Sequence, residues 1–227
     1  MPIYFITLLC SVSVPLLYSI FKIDFIKDWK KFGISTTIIA IVFLIWDVIF
    51  TSNGVWGFND DYCLGLYFLK IPLEEWLFFF IIPFCSLFTH YAFFYAFPEI
   101  KLNRRTSLII ASFFILLSVV VIYSNMDKSY TLVNFFFLLV ILVFGTIYRL
   151  HLLQQFILSF LIVLIPFFIV NGILTGAITE APIVWYDDLE NLGIRLYTIP
   201  IEDIGYAFSM LFGNLMIFEY LKEKHTS

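Results

Sequence analysis

Two pairs of adjacent acids stand at the threshold of long apolar runs, Glu74-Glu75 and Glu202-Asp203. Each belongs to a short motif, Ile71-Pro72-Leu73-Glu74-Glu75 and Ile199-Pro200-Ile201-Glu202-Asp203. A proline at the first helical position gives up no hydrogen bond, so Pro72 and Pro200 mark expected helix starts, with Glu74 and Glu202 near the third position. Free N–H groups and the helix dipole favour a carboxylate there. Burial among apolar groups favours the protonated acid, and a neighbouring acid adds repulsion. Opposed influences of this kind can leave one carboxyl carrying a proton beside one that is ionised, which is what a general acid and a general base need. A single such pair reads most simply as a helix cap at a membrane interface, since acids are common in first turns. Two pairs in register favour chemistry.

The register extends beyond the motif. At an offset of 128, Gly65 falls on Gly193, Asp60 on Asp188, Asn59 on Asp187 and Phe58 on Tyr186. An internal repeat sets the architecture before any other feature. The composition sets the class: 62% hydrophobic, 21% aromatic and 13% charged residues suit a bilayer, not a soluble core. The net charge of −4 points to no nucleic-acid partner. Seven runs are long enough to span: Ile3–Phe21, Phe32–Phe50, Pro72–Phe97, Ser107–Ser124, Tyr130–Tyr148, Leu152–Gly172 and Pro200–Leu221. The amino-terminal run lacks basic residues before it and reads as a retained span.

The expected fold is therefore all-α and integral to the membrane, with seven transmembrane helices as a parallel 3+1+3 repeat. The offset lays spans five to seven onto one to three. Residues 1–97 form the first three-helix unit, 98–129 a linker helix with its loops, and 130–227 the second unit. Ten Lys and Arg, among them Lys22, Arg104, Arg105, Arg149 and Lys222, fall on one side, against Lys70, Lys128 and Arg195 on the other. The positive-inside rule then puts the amino terminus outside and the carboxyl terminus in the cytoplasm; the expected location is a bacterial inner membrane. Both acid pairs face the outer surface. In parallel repeats, sites commonly lie between the halves.

Other residues join the candidates. Asp47 and Asn171 lie near the outer ends of spans two and six, and an intramembrane acid is a functional candidate. Asp60 and Asp188 either line the mouth of a site or shape turns. Phe78, Phe79, Tyr206 and Phe208 are placed to line a pocket or to face lipid. Trp46, Trp56, Trp76 and Trp185 read first as interfacial anchors. His90, His151 and His225 fall on the basic side, so no histidine joins the acids and no metal site is expected. Cys10, Cys63 and Cys85 show no paired spacing, which argues against a disulfide framework.

The tandem Pro-x-Glu-(Glu/Asp) motifs, with Gly65 and Gly193 upstream, resemble those of the membrane-integral lycopene cyclases of carotenoid biosynthesis, in fused form. The resemblance covers essentially the whole chain. It implies cofactor-independent, non-redox cyclisation of the ψ-ends of lycopene, through a monocyclic carotenoid, to β-carotene. No glycine-rich dinucleotide fingerprint is present, in keeping with that type. The implied partners are lycopene and the monocyclic carotenoid within the bilayer, and other enzymes of the pathway. In this reading Glu74 and Glu202 carry the proton chemistry, with Glu75 and Asp203 tuning them. The alternatives are a transporter built on the same repeat, or a carotenoid enzyme acting on another end group or on a longer carotenoid.

Overall fold

The computed structural model describes residues 1–21 and 25–224, so Lys22 and His225 lie outside the described residues. Among the described residues the chain forms seven α-helices: α1 (Ile3–Phe21), α2 (Trp29–Asn53), α3 (Leu73–Ala96), α4 (Arg104–Ser124), α5 (Ser129–Tyr148), α6 (Leu150–Leu174) and α7 (Glu202–Glu223). All seven are long and apolar enough to cross a membrane. The protein is an integral membrane protein of the all-α class. Backbone groups in lipid must pair internally, which is why helices are the form such apolar runs take.

The repeat is visible in the packing. α1 packs on α3 as α5 packs on α7, and α2 crosses to α7 as α6 crosses to α3. The two halves meet in a short antiparallel ribbon of β1 (Trp56–Phe58) and β4 (Val184–Tyr186). Its central pair joins Gly57 to Trp185, two residues 128 apart. A two-fold passing through the ribbon requires that pairing. Gly57 has no room for a side chain, because a Cβ there would collide with the Trp185 ring.

The 128 offset does not run through both units. α5 begins 126 residues after α1, and α6 begins 121 after α2. The α5–α6 connection is the single residue Arg149, whereas a longer segment joins α1 to α2. A longer loop after α6 restores the register at the ribbon. Sequence offset alone therefore misaligns the second helix of each unit.

Two hairpins precede the motif helices: β2 (Tyr67–Phe68) with β3 (Ile71–Pro72), and β5 (Arg195–Leu196) with β6 (Ile199–Pro200). Leu69, Lys70 and Tyr197 turn them with positive φ, a conformation that side chains disfavour. The helices start later than expected. Pro72 caps α3 with extended backbone, and α7 starts at Glu202. The prolines are drawn into the hairpins, opposite Tyr67 and Arg195.

Candidate active site

The two acids of each motif point to different tasks. Glu74 Oε1 accepts the Leu64 N–H at 2.6 Å, and Glu202 Oε1 accepts the Leu192 N–H at 2.7 Å. These four residues obey the 128 offset. Each first acid thus pins the loop that precedes its own helix. Glu202 also accepts from the Thr131 hydroxyl at 2.7 Å. Both side chains are fully buried, and among the described residues each leaves its second oxygen without a partner. Gly65 and Gly193, in the pinned loops, take positive φ of 78° and 69°, a conformation glycine adopts freely.

The second acids face inward, on the wall of a cavity of about 630 Å³. Glu75 Oε2 accepts from the Tyr4 hydroxyl of α1. Asp203 Oδ1 accepts from Tyr130 of α5, and Oδ2 from Tyr186 at 3.2 Å. The first helix of each unit thus offers a phenol to the second acid of the third helix. The halves differ at one point: Tyr186 falls on Phe58, which has no hydroxyl to offer Glu75. Tyr186 lies outside the spanning helices. Burial, reinforced by the Asp203 charge, raises its pKa well above the usual phenol value, so it remains a donor.

The cavity runs between α1, α3, α6 and α7. Asp47, Asn171, Phe78 and Tyr206 line it, as the sequence suggested for a site, together with Trp56 and Phe58. Tyr130 and Tyr186 stack with centroids 5.6 Å apart, and Trp56 meets Tyr130 edge-on at 5.2 Å. The far wall is apolar, with Val14 of α1 and Ile169 of α6. Those two residues are 60% and 62% exposed, so the cavity opens sideways between α1 and α6, toward lipid. The pseudo-symmetric space, between α5, α7, α2 and α3, is filled. Trp46 stacks on Phe137 at 5.2 Å, and Phe43 packs against Phe79, Phe137 and Tyr206. The second acids of the two motifs, one from each repeat, therefore share one open cavity.

Other expected site residues lie elsewhere. Phe79 belongs to that aromatic filling, and Phe208 packs on Phe156 and Phe160 in the core; neither lines the cavity. Asp60 accepts from the Tyr67 hydroxyl in its loop. Asp188 forms an ion pair with Arg195 at 2.5 Å. Against a desolvation that acts the other way, hydrogen bonds from Arg195 and Asn191 hold the Asp188 carboxyl below its usual value. These aspartates shape loops. Trp46 and Trp56 are 5% and 6% exposed, not interfacial. Trp56 is held inside because its indole N–H donates to Asp47 at 2.6 Å. Sequence reading missed Tyr4, Tyr130 and Tyr186 as partners of the acids, although the Phe58/Tyr186 alignment already carried part of that signal.

A sequence model of the lycopene cyclase family matches residues 2–94 and again residues 127–221. The chain belongs to the lycopene cyclase family. A search of curated proteins and a search of solved structures return no match. The family supports a carotenoid cyclase role, and the doubled match falls on the two halves that each supply one motif acid to the cavity wall.

Proposed function

We propose that the chain is a lycopene β-cyclase whose single site combines Glu75 from the first repeat with Asp203 from the second. The observation that carries this reading is their placement on one apolar, aromatic-lined cavity that opens toward lipid. The substrate is a hydrocarbon, so it arrives through the bilayer and needs no aqueous route. The volume is typical of a small-molecule site, about 300–1,000 Å³. It suits one end group, with the remaining polyene lying in the lateral opening.

The reaction is an isomerisation. Glu75 passes a proton to C2 of the terminal double bond, leaving a cation at C1. The C5=C6 bond closes onto C1, and the cation moves to C5. Asp203 then removes the C6 proton, and the electron pair stays as the ring double bond. Glu75 suits the donor role because, among the described residues, its side chain accepts a hydrogen bond from Tyr4 alone. Asp203 accepts from two phenols, a hydrogen-bonding state that suits the base. Trp56, Phe78, Tyr130, Tyr186 and Tyr206 surround the acids, and each ring face attracts a cation by about 0.5–2 kcal/mol. Dense aromatic packing keeps out water, which would trap the cation as an alcohol. Glu74 and Glu202 act through the loops they pin, as positioning residues.

The test is pigment analysis. The chain is expressed in a bacterium that accumulates lycopene, and extracts are separated against carotene standards. Bicyclic β-carotene supports the proposal. Rings of another double-bond position would move the assignment of the base, and unchanged lycopene with the protein in the membrane would refute it.

A further inference from the structure

Asp47 of α2 is a cavity-wall carboxyl that belongs to neither repeated motif. It is 2% exposed. Oδ1 accepts the Trp56 indole N–H at 2.6 Å and the Thr51 hydroxyl at 3.2 Å. Oδ2 is buried and has no partner among the described residues. An acid inside a membrane protein is costly to keep, and one with an unpaired buried oxygen more so. Glu74 and Glu202 also leave an oxygen unpaired, but neither lines the cavity. Asp47 does, and it lies close enough to Glu75 for the two to interact electrostatically. With an apolar occupant in the cavity, a carboxyl O–H there meets a π bond as its acceptor. The other half has no equivalent. Counted from the ribbon, Asp47 falls on Thr175; counted from the helix starts, it falls on Phe168. The α2–α3 side of the cavity therefore holds two carboxyls, and the α7 side holds Asp203.

We propose that Asp47 and Glu75 form the proton-donating pair of the site, two carboxyls that together carry the one proton passed to the polyene. This rests on the cyclase reading above and deepens it. One O–H bond of the pair breaks as the C2–H bond forms. The ring closes by the C1–C6 bond, and Asp203 takes the C6 proton. The pair ends one proton short and Asp203 one proton long. Return of that proton resets the site, with no other reactant consumed.

The experiment uses the full chain purified in detergent, with lycopene added. Cyclised product and retained lycopene are measured on the same samples, the latter by its visible absorption. Asp47→Asn keeps an acceptor for Trp56 but cannot carry the proton. It is expected to retain lycopene while cyclisation falls about a hundredfold or more. Asp47→Glu is expected to recover at least about tenfold of that loss. Thr51→Val keeps the carboxyl and removes one hydrogen bond, so it should stay within about tenfold of wild type. Cyclisation by Asp47→Asn within about tenfold of wild type would overturn the proposal. So would joint loss of lycopene retention and cyclisation that Asp47→Glu does not restore, which would assign Asp47 to packing. If the unmodified chain retains lycopene and never cyclises it, the cyclase reading itself fails, and this inference with it.

Discussion

Replacing the first acid of each motif should separate loop bracing from chemistry. Glu74→Gln keeps the oxygen that accepts from Leu64 and exchanges only the unpaired one. Glu202→Gln does the same for Leu192 and Thr131. Both variants should therefore retain cyclisation within about tenfold of wild type, since the cavity-facing acids are untouched. Alanine is different. Glu74→Ala removes one hydrogen bond and leaves the Leu64 N–H without it, a cost of about 1–3 kcal/mol in water-soluble proteins and less in some membrane proteins. Glu202→Ala removes two and strands Thr131 as well, so its cost should be about twice as large. The assay pairs thermal unfolding in detergent with pigment analysis of the same preparations. The expected order of stability is Gln variants, then Glu74→Ala, then Glu202→Ala. A folded Glu74→Gln or Glu202→Gln protein that has lost cyclisation would refute the bracing role and return the proton chemistry to the first acids.

Three further outcomes follow from single contacts. Tyr186→Phe gives the second half the side chain of Phe58 and removes the 3.2 Å hydrogen bond to Asp203, so turnover should fall about fivefold to tenfold with the fold intact; an unchanged rate would show that this phenol does not support the base. Gly145→Ala would drive a methyl group into the Phe212 ring where α5 meets α7, and overpacking should lower stability by about 1–3 kcal/mol in detergent unfolding. Asp188 has a lowered pKa in the folded state, so its pairing with Arg195 stabilises above the ordinary carboxylate range and is lost as pH falls through the folded value. The side chain is 59% exposed, so Asp188→Asn should cost at most about 1 kcal/mol at neutral pH and nothing at pH values where both states are protonated, as unfolding measured across pH would show.

The repeat, the spans and the acid pairs were legible because apolar run length and a doubled motif are properties of the sequence itself. Which acid of each pair faces the cavity was not. Adjacent residues on a helix point about 100° apart, and with both neighbours of the pair apolar, periodicity cannot say which direction is inward. The loops settle it: Leu64 and Leu192 present N–H groups to Glu74 and Glu202, leaving Glu75 and Asp203 to the cavity. Trp46 and Trp56 looked interfacial from position alone, yet Asp47 and the aromatic filling hold them inside. Phe79 sits next to Phe78 in sequence and faces the filled space instead of the open one. That one of two pseudo-symmetric spaces is filled depends on side chains from four helices, and no single stretch of sequence carries it.

The most direct test of the shared site is to compare Glu75→Gln and Asp203→Asn singly in the lycopene-accumulating strain. One cavity that needs both acids predicts open-chain lycopene from each variant, with the protein present in the membrane and no monocyclic product above the Glu75→Gln/Asp203→Asn double variant. Steady production of monocyclic carotene by either single variant would contradict the account, because it would mean that each half cyclises an end group on its own.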